Sequence, residues 1–193
     1  MELGCGVGML ASVLTHLGAL RVLAFDHNKV CARLAGANCA LNAVLGSAPG
    51  SAHALAYGPS IAAAVQDSQG SPAYADLIVG SELLYMGELV EPLWETVSQL
   101  LRPQGRFILA HIDRVESVTE KLFAVGRRHK FSVESQDLRA LVAPKQHACA
   151  KSAQPQSLEE RAKALLQKRI SVDNPTRVEP KGPDIKLLTF FRN

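Results

Sequence analysis

The chain has 193 residues, of which 47% are hydrophobic and 20% are charged, and its formal net charge is +3. This composition is typical of one soluble globular domain with an ordinary core. No apolar run approaches the ~18 residues that a membrane-spanning helix needs, and the four cysteines form neither a CxxC pair nor a zinc-like spacing with histidine. The sequence therefore argues against a membrane protein and a zinc site, and a reducing intracellular compartment is expected.

The opening segment, residues 2–8, reads ELGCGVG, and an apolar helical run over 9–17 follows it. Glycines at every second position predict the end of a strand, a tight turn and a helix N-terminus, where backbone N–H groups can approach a ligand. The spacing differs from the G-x-G-x-x-G dinucleotide fingerprint. Because no apolar strand precedes Glu2, we expect either a first strand reduced to a stub or a chain that is part of a longer protein.

Predicted strands and helices alternate along the rest of the chain. Strands are predicted at 21–25, 53–57, 76–80, 106–112, 131–134 and 185–191, and helices from Asn28 to about 44, at 88–101 and at about 115–129. This alternation predicts an α/β fold with a mostly parallel, doubly wound sheet. In the helix after Asn28 the apolar residues at 30, 34, 37, 41 and 44 recur at helical spacing, so we expect that face to be buried.

Residues 144–184 break the alternation. The stretch is polar and contains several prolines, and its one convincing helix, 158–169, opens with a match to the capping box. We interpret it as an insertion before the last strand of a single domain that spans 1–193. The basic residues of this helix are expected to form a solvated face, the alternative being a substrate-docking element.

Several candidate functional residues follow the ends of predicted strands. Parallel α/β sheets bind ligands beyond the carboxyl ends of their strands, so Asp26, Tyr57 and the segment 81–85 are expected to lie on one edge. An acidic side chain at Asp26 can accept hydrogen bonds from both hydroxyls of a ribose, the alternative being a helix cap. Tyr57 can stack on a base, or it can simply pack against the core.

These segments together resemble a known family. Residues 2–8 look like motif I of the class I, seven-β-strand methyltransferases that use S-adenosylmethionine, and Asp26 matches their second acidic position. Residues 76–85, DLIVGSELLY, resemble the segment after strand four in methyltransferase family 16, which contains protein-lysine methyltransferases with a D-x-x-Y signature. Residues 55–58 and Arg114 also match in kind. Glu82 stands where that family usually has Asp, and Tyr57 where it usually has Trp.

The resemblance implies a Rossmann-like sheet of seven strands, with a truncated first strand and an antiparallel last strand. It also implies S-adenosylmethionine as the cofactor, held by the residues at the strand ends: Glu2, Gly4, Cys5, Gly6, Gly8, Asp26, Tyr57 and Ser81. Methyl transfer is an in-line displacement that mainly needs orientation and a shaped site. Glu82 is expected to accept a hydrogen bond from a lysine ammonium group or to hold the substrate backbone, and Tyr85 to offer its ring face to the same cation.

The implied function is transfer of a methyl group to a lysine of a protein substrate by a monomeric cytoplasmic enzyme, with the nucleus as an alternative location. No membrane and no metal ion are expected to take part. A class I methyltransferase acting on a small molecule or nucleic acid is an alternative, although the Pro-Pro motif of nucleic-acid amino-methylating enzymes is missing after strand four. The glycine spacing disfavours a nicotinamide dehydrogenase. A catalytically inactive binding or scaffold protein stays open, because a short first strand weakens the sheet and the cofactor site.

Overall fold

A computed structural model describes residues 1–42, 50–58, 61, 64–65, 74–138, 141 and 184–192. The strands are β1 (Glu2–Leu3), β2 (Leu23–Asp26), β3 (Ser51–Ala54), β4 (Ala75–Ser81), β5 (Leu101–Ile112), β6 (Phe131–Asp137) and β7 (Ile185–Arg192). The helices are α1 (Met9–His16), α2 (Lys29–Leu41), α3 (Val90–Leu100) and α4 (Glu116–Arg128), with a short 3₁₀ turn at Gly87–Leu89. The predicted insertion at 144–184 lies outside the described residues, including its helix at 158–169.

The seven strands form one sheet in the order β3-β2-β1-β4-β5-β7-β6. β7 runs antiparallel to β5 and β6, and the other recorded pairs are parallel. The predicted seven-strand, doubly wound sheet with an antiparallel last strand is therefore confirmed. β1 has two residues and lies between β2 and β4, so the glycine segment that follows it emerges at the centre of the carboxyl edge.

Most predicted elements occur close to the expected positions, with two differences. The strand expected at 53–57 lies at Ser51–Ala54, which leaves Tyr57 in the loop after β3 rather than at the strand end. The strand expected at 106–112 begins earlier, at Leu101, and the β4–β5 register shifts near Gln104, which has a φ of 65°. Helix α2 begins directly after Asn28, as predicted. The Asn28 side chain accepts hydrogen bonds from the N–H groups of Val30 and Cys31 and so caps the helix.

The buried face of α2 was predicted wrongly. Val30, Leu34, Ala37 and Leu41 are exposed, and the face that packs inward carries Ala32, Ala35 and Cys39; the fifth position, 44, lies outside the described residues. The reason is a close approach between α2 and the glycine segment, since a β-carbon added at Gly8 would lie 2.7 Å from Ala35 Cα. Only small side chains fit at that distance.

The larger core lies between the sheet and helices α3 and α4. Trp94 is fully buried at its centre, with Phe131 and Phe190 ring centroids 4.9 Å away and that of Phe107 at 5.9 Å. Its indole N–H donates to the Leu122 carbonyl at 2.9 Å. Trp94 is thus the centre of a core that supports the sheet beneath the candidate site.

Candidate cofactor site

The glycine turn between β1 and α1 depends on backbone conformations that side chains rarely adopt. Gly4, Gly6 and Gly8 have φ values of 62°, 51° and 82°. A β-carbon added at Gly4 would lie 2.6 Å from Leu83 Cδ2 and 2.8 Å from the Tyr57 hydroxyl, whereas one added at Gly6 would meet nothing within 4 Å. Gly4 and Gly8 thus allow close packing, and Gly6 leaves open space where a ligand can approach the backbone.

Asp26 joins the end of β2 to this turn. One carboxylate oxygen accepts a hydrogen bond from Gly6 N–H at 2.9 Å, and the other accepts from Asn28 N–H at 2.8 Å. Each oxygen has a second lone pair, so the buried carboxylate can hold the turn and still accept hydrogen bonds from a ligand. The structure therefore places Asp26 beside Gly6, as the predicted site requires.

Cys5 and Glu2 lie beneath the turn rather than on its open side. Burial raises the pKa of the Cys5 thiol to about 12, so it stays protonated and is a poor nucleophile. The Glu2 carboxylate is buried and accepts a hydrogen bond from Ala11 N–H, in the first turn of α1, at 2.7 Å. In these positions both side chains support the turn, and Glu2 satisfies one of the N–H groups at the start of α1.

The buried Glu2 makes stability depend on pH in a direction unusual for a carboxylate. Burial raises its pKa from 4.5 to about 7, although the Ala11 N–H opposes this. Between these values the folded state binds more protons than the unfolded state, so the free energy of unfolding should fall as pH rises. We expect Glu2→Gln, which keeps an oxygen acceptor, to lose this fall. Melting temperatures of both proteins from pH 4.5 to 8 check it, and parallel curves would contradict it.

Tyr57 lies over the turn, although it is part of the loop after β3 rather than a strand end. Its hydroxyl is close to Gly4, and its ring packs against the edge of the larger core. Burial raises the pKa of the phenol, and the nearby Asp26 carboxylate adds to the effect, so the hydroxyl stays protonated and can donate a hydrogen bond. The predicted stacking on a base stays a prediction.

The segment after β4 supplies the remaining predicted residues. Ser81 and Tyr85 are exposed, and Tyr85 presents 64% of its surface. The Glu82 carboxylate is already engaged by other parts of the chain: it accepts from Ile112 N–H at 2.7 Å and from Arg114 Nη2 at 2.8 Å. The structure thus brings Glu82 to the predicted edge but pairs it with Arg114.

The sequence analysis did not predict a series of hydrogen-bonded polar side chains next to this segment. The buried His111 has its Nε2 2.9 Å from the Thr119 hydroxyl, which donates to Asp113 at 2.9 Å. Burial lowers the pKa of His111, although the carboxylates of Glu82 and Asp113 oppose this. An acidic residue two positions after a histidine, at a predicted strand end, was the only sequence signal for this chain of contacts.

Among the residues that the structure describes, no group of three or more His, Cys, Asp or Glu side chains is placed to hold a metal ion. Within the same part of the chain, no helix combines the length and apolar character that a membrane crossing requires.

The family model for ribosomal protein L11 methyltransferase (PrmA) matches residues 1–145. The chain belongs to this family. It is also 28% identical over 147 residues to the ribosomal protein L11 methyltransferase of Limosilactobacillus reuteri, a match that covers 75% of this chain and 41% of that relative. The chain thus spans less than half the length of the curated relative. The predicted membership of the class I methyltransferases is confirmed, and the narrower resemblance to family 16 stays a prediction.

Solved structures show the same fold at low sequence identity. The ribosomal protein L11 methylase of Lactobacillus delbrueckii subsp. bulgaricus aligns with a TM-score of 0.57 and 19% identity, over 100% of this chain and 69% of that one. The N-methyltransferase NodS of Bradyrhizobium japonicum, in complex with S-adenosyl-L-homocysteine, aligns with a TM-score of 0.52 and 16% identity, over 100% of this chain and 76% of NodS. These relatives confirm the predicted fold and agree with S-adenosylmethionine as the cofactor.

Proposed function

We propose that this member of the L11 methyltransferase family binds S-adenosylmethionine at the glycine turn and methylates a lysine side chain of a protein substrate. One observation carries the cofactor part. Gly6 faces open space in a left-handed turn, and its N–H is fixed by Asp26 at the end of the neighbouring strand. A nucleoside ligand needs this combination of close backbone approach and a carboxylate for its ribose.

The residues present fit this cofactor. Asp26 would accept the ribose hydroxyls with its remaining lone pairs, Gly6 would let the ligand approach the backbone, and the protonated Tyr57 hydroxyl would donate a hydrogen bond at the Gly4 side of the turn. When bound, S-adenosylmethionine supplies an electrophilic methyl group on a sulfonium centre. The chain itself then has to orient the acceptor and exclude water, which are the main requirements of an in-line displacement.

The proposed acceptor is a protein lysine, and ribosomal protein L11 is the first candidate substrate. The matched family and the L. reuteri relative are both named for methylation of L11. On the substrate side the exposed Tyr85 can contact a cation with its ring face. A lysine acceptor also agrees with the sequence resemblance to family 16, and a cytoplasmic location follows from this substrate; the comparisons do not support the nuclear alternative.

The cofactor part is tested by calorimetric titration with S-adenosylhomocysteine. We expect Asp26→Asn to weaken binding by about 10- to 100-fold, because the amide NH₂ would face a backbone N–H and disturb the turn as well as the ribose contact. Asp76→Asn is the matched control, since Asp76 is an exposed acid paired with Arg102 at the opposite end of the sheet. Equal affinities of Asp26→Asn and the unsubstituted protein would contradict the proposed cofactor site.

The substrate part is tested separately by incubating the protein with L11 and isotope-labelled S-adenosylmethionine. Mass spectrometry of the product is expected to show labelled methyl groups on lysine. Label on another residue type would refute the lysine assignment, and the absence of label from a protein that binds S-adenosylhomocysteine would refute L11 as the substrate of this chain.

A further inference from the structure

Glu82 has a strained backbone at the centre of the candidate substrate side. Its φ of 53° lies in the left-handed region, and it is one of three non-glycine residues with positive φ in the described part of the chain. Residues with side chains adopt this conformation only where their surroundings hold them in it. The segment 81–85, which we call the β4 loop, must therefore be fixed by contacts outside itself.

Those contacts come from the end of β5 and the turn that follows it. Glu82 N–H donates to the Ala110 carbonyl at 2.9 Å. One carboxylate oxygen of Glu82 accepts from Ile112 N–H at 2.7 Å, and the other accepts from Arg114 Nη2 and Nε at 2.8 and 3.1 Å. Three donors contact the carboxylate, and they bind both oxygens of Glu82 to one unit, which consists of the end of β5 and the turn after it. We call this set of contacts the Glu82 clamp.

The unit that carries Arg114 is itself fixed from its other side. The Thr119 hydroxyl has one hydrogen and gives it to Asp113, so the neutral His111 must donate its Nε2–H to the Thr119 oxygen. His111 lies on β5, Asp113 in the turn and Thr119 on α4. These hydrogen bonds connect the turn to β5 and to α4, and Arg114 therefore projects from a fixed backbone.

The β4 loop also contacts the glycine turn. The Leu83 side chain is buried, and it occupies space that would be taken by β-carbons at Gly4 and Gly80. Because neither glycine has a β-carbon, Leu83 packs directly on the backbone of the turn. A displacement of the β4 loop would thus move the substrate side relative to the cofactor side.

We propose that Arg114 is a positioning residue that acts through Glu82 to hold the β4 loop, and with it Tyr85, against the cofactor turn. This inference deepens the proposed function and rests on it for the role of Tyr85. It also revises the expected role of Glu82, whose carboxylate holds the loop through Arg114 and Ile112 instead of accepting a hydrogen bond from the substrate ammonium.

The clamp itself is tested by hydrogen exchange, which does not depend on activity. Arg114→Ala should speed exchange of the Ile112 and Glu82 amides by about two- to fivefold, the range for losing a partly exposed ion pair. Arg114→Lys should recover part of the protection. Arg102→Ala is the control, because it removes an exposed pair with Asp76 at the other end of β4. Unchanged exchange in Arg114→Ala would overturn the proposal, whatever the substrate is.

Kinetics with a substrate that the protein methylates test the positioning role. Arg114→Ala should lower kcat about tenfold, while the affinity for S-adenosylhomocysteine stays within twofold, and Arg114→Lys should restore much of kcat. Glu82→Gln, and the double variant that combines it with Arg114→Ala, should lower kcat no more than Arg114→Ala alone, because the two residues act through one contact. If the losses of kcat from the two single substitutions multiply in the double variant, Glu82 acts on the substrate directly and the proposal is overturned. If the protein does not methylate L11 but Arg114→Ala alters the exchange, L11 is rejected as the substrate and the Glu82 clamp is supported.

Discussion

Gly8→Ala is expected to abolish binding of S-adenosylhomocysteine and to destabilise the fold by about 2–5 kcal/mol. A side chain at a φ of 82° costs about 1–2 kcal/mol. Its β-carbon would also lie 2.7 Å from both Cα and Cβ of Ala35, and such overpacking typically costs a further ~1–3 kcal/mol. Relief of this contact would require α1 and α2 to separate, which would open the turn. Urea unfolding and calorimetric titration measure the two effects.

Substitutions at two other glycines separate the effect of backbone strain from the effect of overpacking. Gly6→Ala shares the left-handed strain but meets no neighbour, so it should lose only about 1–2 kcal/mol while its β-carbon fills the space of the ligand. Gly36 lies in α2, where a β-carbon would make an ordinary contact at 3.9 Å with Ala52 Cβ. Gly36→Ala should therefore stabilise the protein by about 0.5–1 kcal/mol. Unaltered stability and affinity in Gly8→Ala would refute the close packing of α2 on the turn.

Trp94→Ala is expected to cost about 3–5 kcal/mol of the free energy of unfolding. The indole is fully buried among Phe107, Phe131 and Phe190, and its N–H donates to the Leu122 carbonyl. The cavity left by its removal would lie where α3, α4 and the sheet meet. For a protein of this size the loss corresponds to a decrease in Tm of roughly 6–20 °C.

Circular dichroism is the appropriate measurement, because Trp94 is the only tryptophan of the chain and its removal eliminates indole fluorescence. Trp94→Phe serves as the comparison: it keeps an aromatic ring in the core but loses the hydrogen bond to Leu122, and it should cost less than Trp94→Ala. A decrease in Tm of less than about 3 °C for Trp94→Ala would show that the core does not depend on this side chain.

Local sequence signals were sufficient for much of the fold. The continuous apolar run of β4, the cap at Asn28 and the glycine spacing of residues 2–8 each reflect a requirement of the backbone within a few residues. Asp26 was predicted for the same reason, since it ends the strand that follows the glycine turn. Its two backbone partners, Gly6 and Asn28, lie at the positions that a parallel sheet implies.

The orientation of α2 and the partner of Glu82 depended on the tertiary structure. Helical periodicity favours the larger apolar residues as the buried face, but the closeness of Gly8 to Ala35 admits only small side chains there, so Val30 and Leu34 face outward. Glu82 and Arg114 are 32 residues apart, and only the parallel register of β4 and β5 brings them together. The sequence by itself determined the glycine turn of the proposed cofactor site, because that geometry is local. The tertiary structure decided which side chains hold the β4 loop, because those contacts join separate strands.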